Sequence, residues 1–279
     1  MAGKHLDAKA NRLAMNPPPI LNRSPASPLI GVCIQYPSAG IIEAIGGEWD
    51  WVWIDAQHGE LDYSDVIELV RACHLVGIPG LVRIPSHDDG WVGRVLDAGA
   101  AGIIVPMIES LAEARAMVAA AKFPPIGNRS YGGRRIANLL GRTYVNNANR
   151  DTVLILHVES NEAVALSEEL AAIKGVDGLF VGPNDLLLRS GHSIEEPQSR
   201  ETIGRQTKQV ADACRAHGKL GLCVGISPSA MAMAREFGYP LIVGGLDSYF
   251  IAQGSKQAAA TLRGFLAEGG FNSGRPPQT

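Results

Sequence analysis

Ionisable side chains gather at the ends of apolar runs in this sequence, and they are of the kinds that carry out proton transfer and metal binding. The residues concerned are Asp55, His58, Arg83, His157, Glu159 and Asp185. Each stands at or just after a run with the composition of a buried strand. Burying a lone charge is costly, so these groups must be paired, hydrated or bound to a ligand.

Glu159 and Asp185 follow two consecutive predicted strands, which would hold them close together because neighbouring strands lie about 5 Å apart. Two carboxylates at that separation repel each other unless a cation or a shared proton lies between them. Carboxylates combined with water and a chelating substrate commonly hold Mg²⁺ or Mn²⁺. The pair therefore predicts a divalent metal site. The alternative is that Glu159 caps a helix and Asp185 lies in a turn.

Arg83 ends a third apolar run, one residue before Ile84-Pro85. As a structural residue it could form an ion pair with Asp55 on the neighbouring strand. As a functional residue it could bind a carboxylate or an enolate oxygen, since a guanidinium stays charged and presents a rigid fork of donors. The functional interpretation is favoured.

His58 lies three residues after Asp55. A carboxylate that orients an imidazole and raises its basicity is a recurring general-base arrangement, and we predict this role for the two residues. His157 shares a strand with Glu159 and is predicted to face the same opening. The remaining histidines lie in predicted helices, loops or the N-terminal segment, where surface and capping roles are usual.

A lysine that forms a Schiff base is not predicted. Such a lysine must stand at a strand end that faces the substrate. Lys122 and Lys174 lie near predicted helix ends, and Lys219 precedes a strand, at the opposite end of the fold. The Schiff-base mechanism is therefore disfavoured.

These positions converge only if the apolar runs are parallel strands. Eight such runs alternate with segments of helical period, at residues 29–34, 51–55, 80–84, 102–105, 153–159, 178–181, 220–224 and 241–243. Near-continuous apolar strands are covered on both faces, and eight of them predict a single closed (β/α)₈ TIM barrel with its chemistry at the carboxyl ends. An open dinucleotide-binding sheet needs a glycine-rich turn after its first strand, which residues 35–40 do not provide.

The chain is expected to divide into an N-terminal extension over 1–28, a barrel over 29–268 and a flexible tail over 269–279. A short helix is predicted at 7–15. Residues 124–150 form a long Gly- and Arg-rich connection, and connections of this length usually serve as lids or subunit contacts. Gly244-Gly245, after the eighth run, is a weaker candidate for a phosphate-binding loop.

The composition excludes several classes of function. The 279 residues are 46% hydrophobic and 19% charged with a net charge of −3, which provides no basic surface for nucleic acid. No apolar run reaches the roughly 18 residues of a membrane span, and the N-terminus lacks a secretory signal. The four cysteines are far apart and form no C-x-x-C pair, so we expect reduced thiols in a cytoplasmic protein.

Six segments, in this order, resemble the HpcH/HpaI aldolase family of class II, metal-dependent pyruvate aldolases, which includes 2,4-dihydroxyhept-2-ene-1,7-dioate aldolases. They are WIDAQHG at 53–59, LVRIP at 81–85, LDAGA at 96–100, GIIVPM at 102–107, FPPIG at 123–127 and GLFVGPNDL at 178–186. The resemblance runs from about residue 29 to residue 268, which is nearly the whole predicted barrel.

The resemblance implies a role for each strand-end residue. Glu159 and Asp185 would bind Mg²⁺, Mn²⁺ or Co²⁺, and His58 would be the base assisted by Asp55. Arg83 would contact the pyruvate enolate, and His157 stands where better-known members carry Gln, at a position that touches pyruvate or metal-bound water. The pyruvate carboxylate would be received by the backbone of Gly182, Pro183, Asn184 and Asp185. The resemblance further implies a homo-oligomer, a hexamer built as a trimer of dimers, in which the C-terminal helix is exchanged between subunits.

The expected function is reversible aldol cleavage of a 4-hydroxy-2-oxo acid to pyruvate and an aldehyde, through an enolate stabilised by the metal and Arg83. The alternatives are an oxaloacetate decarboxylase or another pyruvate-enolate enzyme, and a non-catalytic barrel that binds a 2-oxo acid. Small molecules are the expected partners, without nucleic acid or membrane. The family pattern is not followed at Gln57, at His157 and in the segment 129–133, which leaves the aldehyde open.

Overall fold

The computed structural model describes residues 26–269, and they contain a closed barrel of eight parallel strands. The strands are β1 Leu29–Ile34, β2 Trp51–Asp55, β3 Gly80–Arg83, β4 Gly102–Val105, β5 Val153–Val158, β6 Gly178–Val181, β7 Leu220–Val224 and β8 Leu241–Leu246. They follow one another around the barrel in chain order, and β8 pairs with β1 to close it. The predicted TIM barrel is confirmed. The helix predicted at 7–15 lies outside the described residues.

The strand bounds agree with the prediction except at three carboxyl ends. β3 and β5 end one residue earlier than predicted, whereas β8 continues through Gly244 and Gly245. A Cβ atom on Gly245 would lie 2.1 Å from the ring of Phe250, and one on Gly244 would lie 3.1 Å from the ring of Trp49. The two glycines therefore lie inside a strand and make room for aromatic rings, which does not favour the weaker interpretation of them as a phosphate-binding loop.

Twelve α-helices surround the barrel within residues 26–269. They are α1 Ala39–Ile45, α2 Tyr63–Val76, α3 Asp89–Asp97, α4 Leu111–Ala121, α5 Arg134–Leu140, α6 Val145–Asp151, α7 Asn161–Ala165, α8 Ser167–Ala172, α9 Pro183–Arg189, α10 Gly204–Ala216, α11 Pro228–Phe237 and α12 Asp247–Glu268. Local signals fix their ends. Asp62 accepts from the amides of Ser64 and Asp65 at the start of α2, and Gly77 closes that helix in the left-handed region with φ 79°.

The interior of the barrel is filled by side chains that alternate with those facing the helices. Trp51, Leu81, Ile155, Phe180 and Leu222 belong to the inner cluster and are all buried. Trp51 needs the glycine at position 31, since a Cβ there would lie 2.2 Å from its ring. A barrel packed in this way is a solid core, so ligands must enter at the mouth.

The connection 124–150 is helical rather than loop-like, because it contains α5 and α6. It joins the end of α4 to the start of β5, which places it at the amino ends of the strands, opposite the mouth. Arg129 binds Asp97 at 2.8 Å there, and the buried Lys122 binds Asp177 and the carbonyl oxygen of Thr152, each at 2.7 Å. A lid over the mouth is therefore wrong for this segment, and a subunit contact stays a prediction. Lys122 has a structural role, as expected of a lysine outside the mouth.

Helix α12 packs on the barrel only where it begins. Asp247 is 1% exposed, whereas five large apolar side chains further along are exposed by 45–66%. They are Tyr249, Ile251, Leu262, Phe265 and Leu266. Apolar surface on this scale is typical of an interaction site.

Two further expectations concern membranes and thiols. Within residues 26–269, no helix combines the length and the apolar character that crossing a membrane requires. All four cysteines are buried and unbonded to one another, as predicted.

Candidate active site

A cavity of about 540 Å³ opens at the carboxyl ends of the strands, and it brings together every residue predicted for the site. Those residues are Asp55, His58, Arg83, His157, Glu159, Gly182, Pro183, Asn184 and Asp185. Asp55 and Arg83 end β2 and β3, Glu159 follows β5, and residues 183–185 open α9 after β6. The convergence follows from the parallel strands, whose carboxyl ends all meet at one mouth.

Arg83 and Asp55 form a buried, bidentate ion pair. Nε of Arg83 donates to Oδ1 of Asp55 at 2.8 Å, and Nη2 donates to Oδ2 at 2.7 Å. The two residues are direct partners in the β2–β3 register, and the guanidinium lies 4.6 Å from the centre of the Trp53 ring. Among the described residues Nη1 of Arg83 has no hydrogen-bond partner, so its donors remain available to a ligand.

Burial raises the pKa of Asp55, but the hydrogen bonds and charge of Arg83 outweigh it and bring the pKa below its ordinary value. The backbone amides of Gln57 and His58 act in the same direction. Asp55 is therefore a carboxylate, and Arg83 is held in one orientation by it.

The expected contact between Asp55 and the imidazole of His58 is wrong. Oδ1 of Asp55 accepts from the backbone amides of Gln57 and His58, at 3.2 and 3.3 Å, while its strong contacts go to Arg83. The side chain of His58 is instead presented at the exposed edge of the cavity by the turn that ends at Gly59. That turn requires glycine, because a Cβ atom at position 59 would lie 2.3 Å from the carbonyl oxygen of Asp55.

Glu159 is 2% exposed, and its Oε2 atom accepts from the backbone N–H of Met107 at 2.7 Å. Burial raises the pKa of Glu159, and the negative charge of Asp185 raises it further, against the lowering effects of Met107 and Arg83. Glu159 and Asp185 line the same cavity, and the protein does not fully compensate the burial of Glu159. This is the charge pattern that a bound cation relieves.

Met107 was not predicted from the sequence as a site residue. Its φ of 48° lies in the left-handed region, which is uncommon for a residue with a side chain. Strain of this kind persists only where the surroundings enforce it, and here it directs the N–H group at Glu159. The available signal was its place directly after the buried run of β4, in Pro106-Met107.

His157 is 2% exposed and stacks on Phe180, with ring centres 4.4 Å apart. Its Nδ1 atom lies 3.1 Å from Oε1 of Glu159, but the angles do not suit a hydrogen bond, and neither ring nitrogen has a partner among the described residues. Burial, together with the positive charges of Arg83 and His58, holds the pKa of His157 well below its ordinary value. The site therefore contains a neutral imidazole with two unused polar atoms, which is rare away from a ligand site.

Gly182, directly after β6, allows the backbone to lie close to the side chains of Glu159 and His157. A Cβ atom there would lie 2.4 Å from Cγ of Glu159 and 2.8 Å from Nε2 of His157. Any side chain at this position must displace one or both groups.

The donor set fits a weakly coordinated hard cation better than a closed metal cage. Among residues 26–269 there is no cluster of three or more His, Cys, Asp or Glu side chains arranged to hold a metal. Mg²⁺ and Mn²⁺ typically take one or two carboxylates and complete their shells with water and substrate oxygens. Glu159 and Asp185 are the carboxylates that could bind such an ion here.

Two parts of the cavity wall were not predicted. Buried Asp247, just after β8, accepts from the backbone amides of Gln35 and Tyr36 and so fixes Gln35 in the wall. Glu159 was predicted because it lies at the end of a predicted strand. Asp247 would have been predicted in the same way if β8 had been predicted to extend to Leu246. The outer wall consists of residues 196–198, in a segment without regular secondary structure that offers no periodic signal.

Comparisons with known proteins agree on one family. The model of the HpcH/HpaI aldolase/citrate lyase family matches residues 38–237. The chain is 31% identical to the 2-dehydro-3,6-dideoxy-6-sulfogluconate aldolase of Pseudomonas putida, over 84% of this chain and 92% of that protein. It is also 31% identical to the hydroxypyruvate/pyruvate aldolase of Rhizorhabdus wittichii, over 85% of this chain and 94% of that protein. A crystal structure of an HpcH/HpaI aldolase/citrate lyase family protein from Burkholderia cenocepacia aligns with a TM-score of 0.76 at 32% identity, covering 85% of this chain and 95% of that one.

Replacing Gly182 with alanine tests the packing around Glu159. We expect Gly182→Ala to weaken Mn²⁺ binding by about tenfold or more, because the new methyl group pushes Glu159 from its place. Free Mn²⁺ can be followed by its electron paramagnetic resonance signal. Gly93→Ala is the matched control, since a Cβ at this position in α3 meets nothing within 4 Å. Unchanged affinity in Gly182→Ala would contradict the assignment.

The neutral imidazole of His157 predicts how stability depends on pH. Below about pH 6.5 the unfolded chain protonates this histidine while the folded protein does not, so the unfolded state binds more protons. The free energy of unfolding should therefore fall on acidification from pH 6.5 towards pH 5, by up to about 1.4 kcal/mol per pH unit from this group. His157→Gln should flatten that slope in urea unfolding with EDTA present. An equal slope in both proteins would show that His157 is protonated when folded.

Proposed function

Because this chain belongs to the HpcH/HpaI aldolase/citrate lyase family, we propose that it catalyses the reversible aldol cleavage of a 4-hydroxy-2-oxo acid to pyruvate and an aldehyde. The chain is a lyase of the aldolase type, as its curated relatives are. The observation that carries the proposal is one cavity that holds an oriented guanidinium, an exposed imidazole and two acidic side chains, of which Glu159 is buried and has a raised pKa. A barrel that only binds a 2-oxo acid would need no base.

Glu159 and Asp185 would hold a divalent cation, which supplies Lewis-acid stabilisation of negative charge on the 2-oxo group when bound. The rest of the recognition falls to the protein. The backbone of residues 182–185 borders the same wall and would receive the carboxylate of the pyruvate half. His157, neutral and without a partner, would contribute a hydrogen bond to that half from the floor of the cavity.

Bond cleavage requires the C4 hydroxyl group to lose its proton, and His58 would accept it directly or through water. The C3–C4 bond then breaks, the aldehyde forms, and the electron pair passes into the enolate of pyruvate. Arg83 would stabilise the enolate oxygen through Nη1, because Asp55 occupies the other two nitrogens and prevents the guanidinium from turning away. A proton from water at C3 completes pyruvate. In the synthetic direction His58 returns its proton to the new alkoxide.

Substitution of the base and of the guanidinium tests this assignment. We expect His58→Ala and Arg83→Ala each to lower kcat/KM for pyruvate addition to an aldehyde by about 100-fold or more. Circular dichroism should accompany Arg83→Ala, because this variant leaves the buried Asp55 without its ion-pair partner. His217→Ala and Arg94→Ala are the matched controls, because neither side chain lines the cavity. Enzyme treated with EDTA should be inactive until Mn²⁺ is added. Full aldol activity and full exchange of the pyruvate methyl protons in both site variants would refute the proposal.

A decarboxylase would use the same enolate, so oxaloacetate belongs in the same assay. Rapid release of carbon dioxide without aldol addition to any of a panel of hydroxyaldehydes would assign the chain to that alternative.

We further propose that the chain forms a homo-oligomer in which the exposed apolar side chains of α12 pack against another copy. Light scattering should give a mass of several chains for the native protein. A Leu262→Glu, Phe265→Glu double variant should give a smaller particle, because two charges replace side chains that are 64% and 66% exposed in a single chain. Leu75→Glu, at an exposed leucine on α2, is the control. A monomeric native protein would refute the proposal.

A further inference from the structure

We propose that the outer wall of the cavity, residues 196–198, makes the enzyme select an uncharged aldehyde and reject aldehydes that carry a carboxylate. The inference rests on the proposed aldol reaction and concerns its second substrate. It depends on the charge of one residue, Glu196, and on the neutral polar side chain of Gln198 beside it.

The charges around the cavity are unbalanced toward negative. Its described lining includes four acidic side chains, Asp55, Glu159, Asp185 and Glu196. Of the described lining residues, Arg83 alone carries a guanidinium or ammonium group, and Asp55 already binds it in bidentate fashion. The other basic side chains of the lining are the imidazoles of His58 and His157, and the proposed reaction uses His58 at the C4 oxygen. A divalent cation would compensate Glu159 and Asp185 in the inner part. Glu196 then has no cationic partner that faces a substrate.

Glu196 is fixed in place rather than free to swing away. Its Oε1 atom accepts from the backbone N–H of Ser193 at 2.8 Å, and its Oε2 atom lies 3.0 Å from Nδ1 of His192. Its side chain is 44% exposed, against 2% for Glu159, so it stands toward the open side of the cavity. The Ser193 amide and His192 lower the pKa of Glu196, and the carboxylate therefore stays ionised at neutral pH.

The surroundings of Glu196 offer contacts to a neutral molecule. Nε2 of Gln198 donates to Oδ1 of Asn184 at 2.9 Å, which ties the outer wall to the segment proposed to receive pyruvate. Ile226 and Ser227, after β7, contribute apolar surface and a hydroxyl group. An aliphatic or hydroxylated aldehyde can pack and hydrogen bond here. An aldehyde that carries a carboxylate would bring that group next to the negative charge of Glu196, with no cation among these residues to offset the repulsion. The wall would therefore discriminate against such an aldehyde by electrostatic repulsion.

Two aldehydes of equal length separate charge from size: butanal and succinic semialdehyde. The measurement is kcat/KM for the addition of pyruvate to each, at low ionic strength with Mn²⁺ present. We expect the native enzyme to prefer butanal by about tenfold or more. Glu196→Gln should reduce this ratio by about three- to fivefold, and Gln198→Lys should reduce it also by adding a cation to the same wall. Effects on pyruvate binding cancel because pyruvate is common to both reactions.

Glu195→Gln is the matched control, since this neighbouring exposed acid does not line the cavity and its loss should leave the ratio unchanged. Salt distinguishes charge from loop distortion: raising the ionic strength should narrow the ratio in the native enzyme and have little effect in Glu196→Gln. A preference for succinic semialdehyde, or a ratio that Glu196→Gln leaves unchanged, would overturn the inference alone. No turnover with any aldehyde would overturn the proposed function, and this inference with it.

Discussion

The buried ion pair between Arg83 and Asp55 is the interaction on which the rest of the mouth depends. Burying two charges is tolerated only where good geometry and additional hydrogen bonds offset the free energy of their desolvation. Here a bidentate contact offsets it, together with hydrogen bonds from the backbone amides that follow β2. The pair fixes a positive charge at the floor of the cavity. Burial lowers the pKa of His157, and the charge of Arg83 lowers it further, while the same charge partly offsets the effect of burial on Glu159.

On the opposite side of the mouth, the backbone at two positions adapts to the side chain of Glu159. Met107 adopts a left-handed conformation, in which its N–H donates to Glu159. Position 182 is glycine, and the absence of a side chain there leaves room for Glu159 and His157 beside the end of β6. Neither feature stabilises the folded state. Both hold the carboxylate of Glu159 at a buried position where its negative charge is unfavourable, and such strain is characteristic of sites that bind ligands or catalyse reactions.

The sequence predicted the barrel and the residues that converge at its mouth, because strands covered on both faces are continuously apolar and their carboxyl ends meet at one place. It offered two contacts for Asp55, with the imidazole of His58 and with Arg83, and could not decide between them. His58 is three residues away along the chain, but the β2–β3 register puts Arg83 directly beside Asp55, and register is a property of the assembled sheet. The place of Gly244 and Gly245 inside β8 could not be predicted for a similar reason, since the rings of Trp49 and Phe250 that need their space come from other elements. Residues 196–198 belong to a segment without regular secondary structure, and only the folded chain brings their side chains together as part of the cavity wall.

The separation between the strand-borne chemistry and that outer segment has an evolutionary consequence. Residues 190–203 contribute no strand to the barrel and none of the groups proposed to act on the pyruvate half. Insertions, deletions and charge reversals in such a segment cost the barrel little, because few buried contacts depend on it. A duplicated gene could therefore acquire a new second substrate by drift in this one stretch, while the machinery that generates the enolate is inherited unaltered.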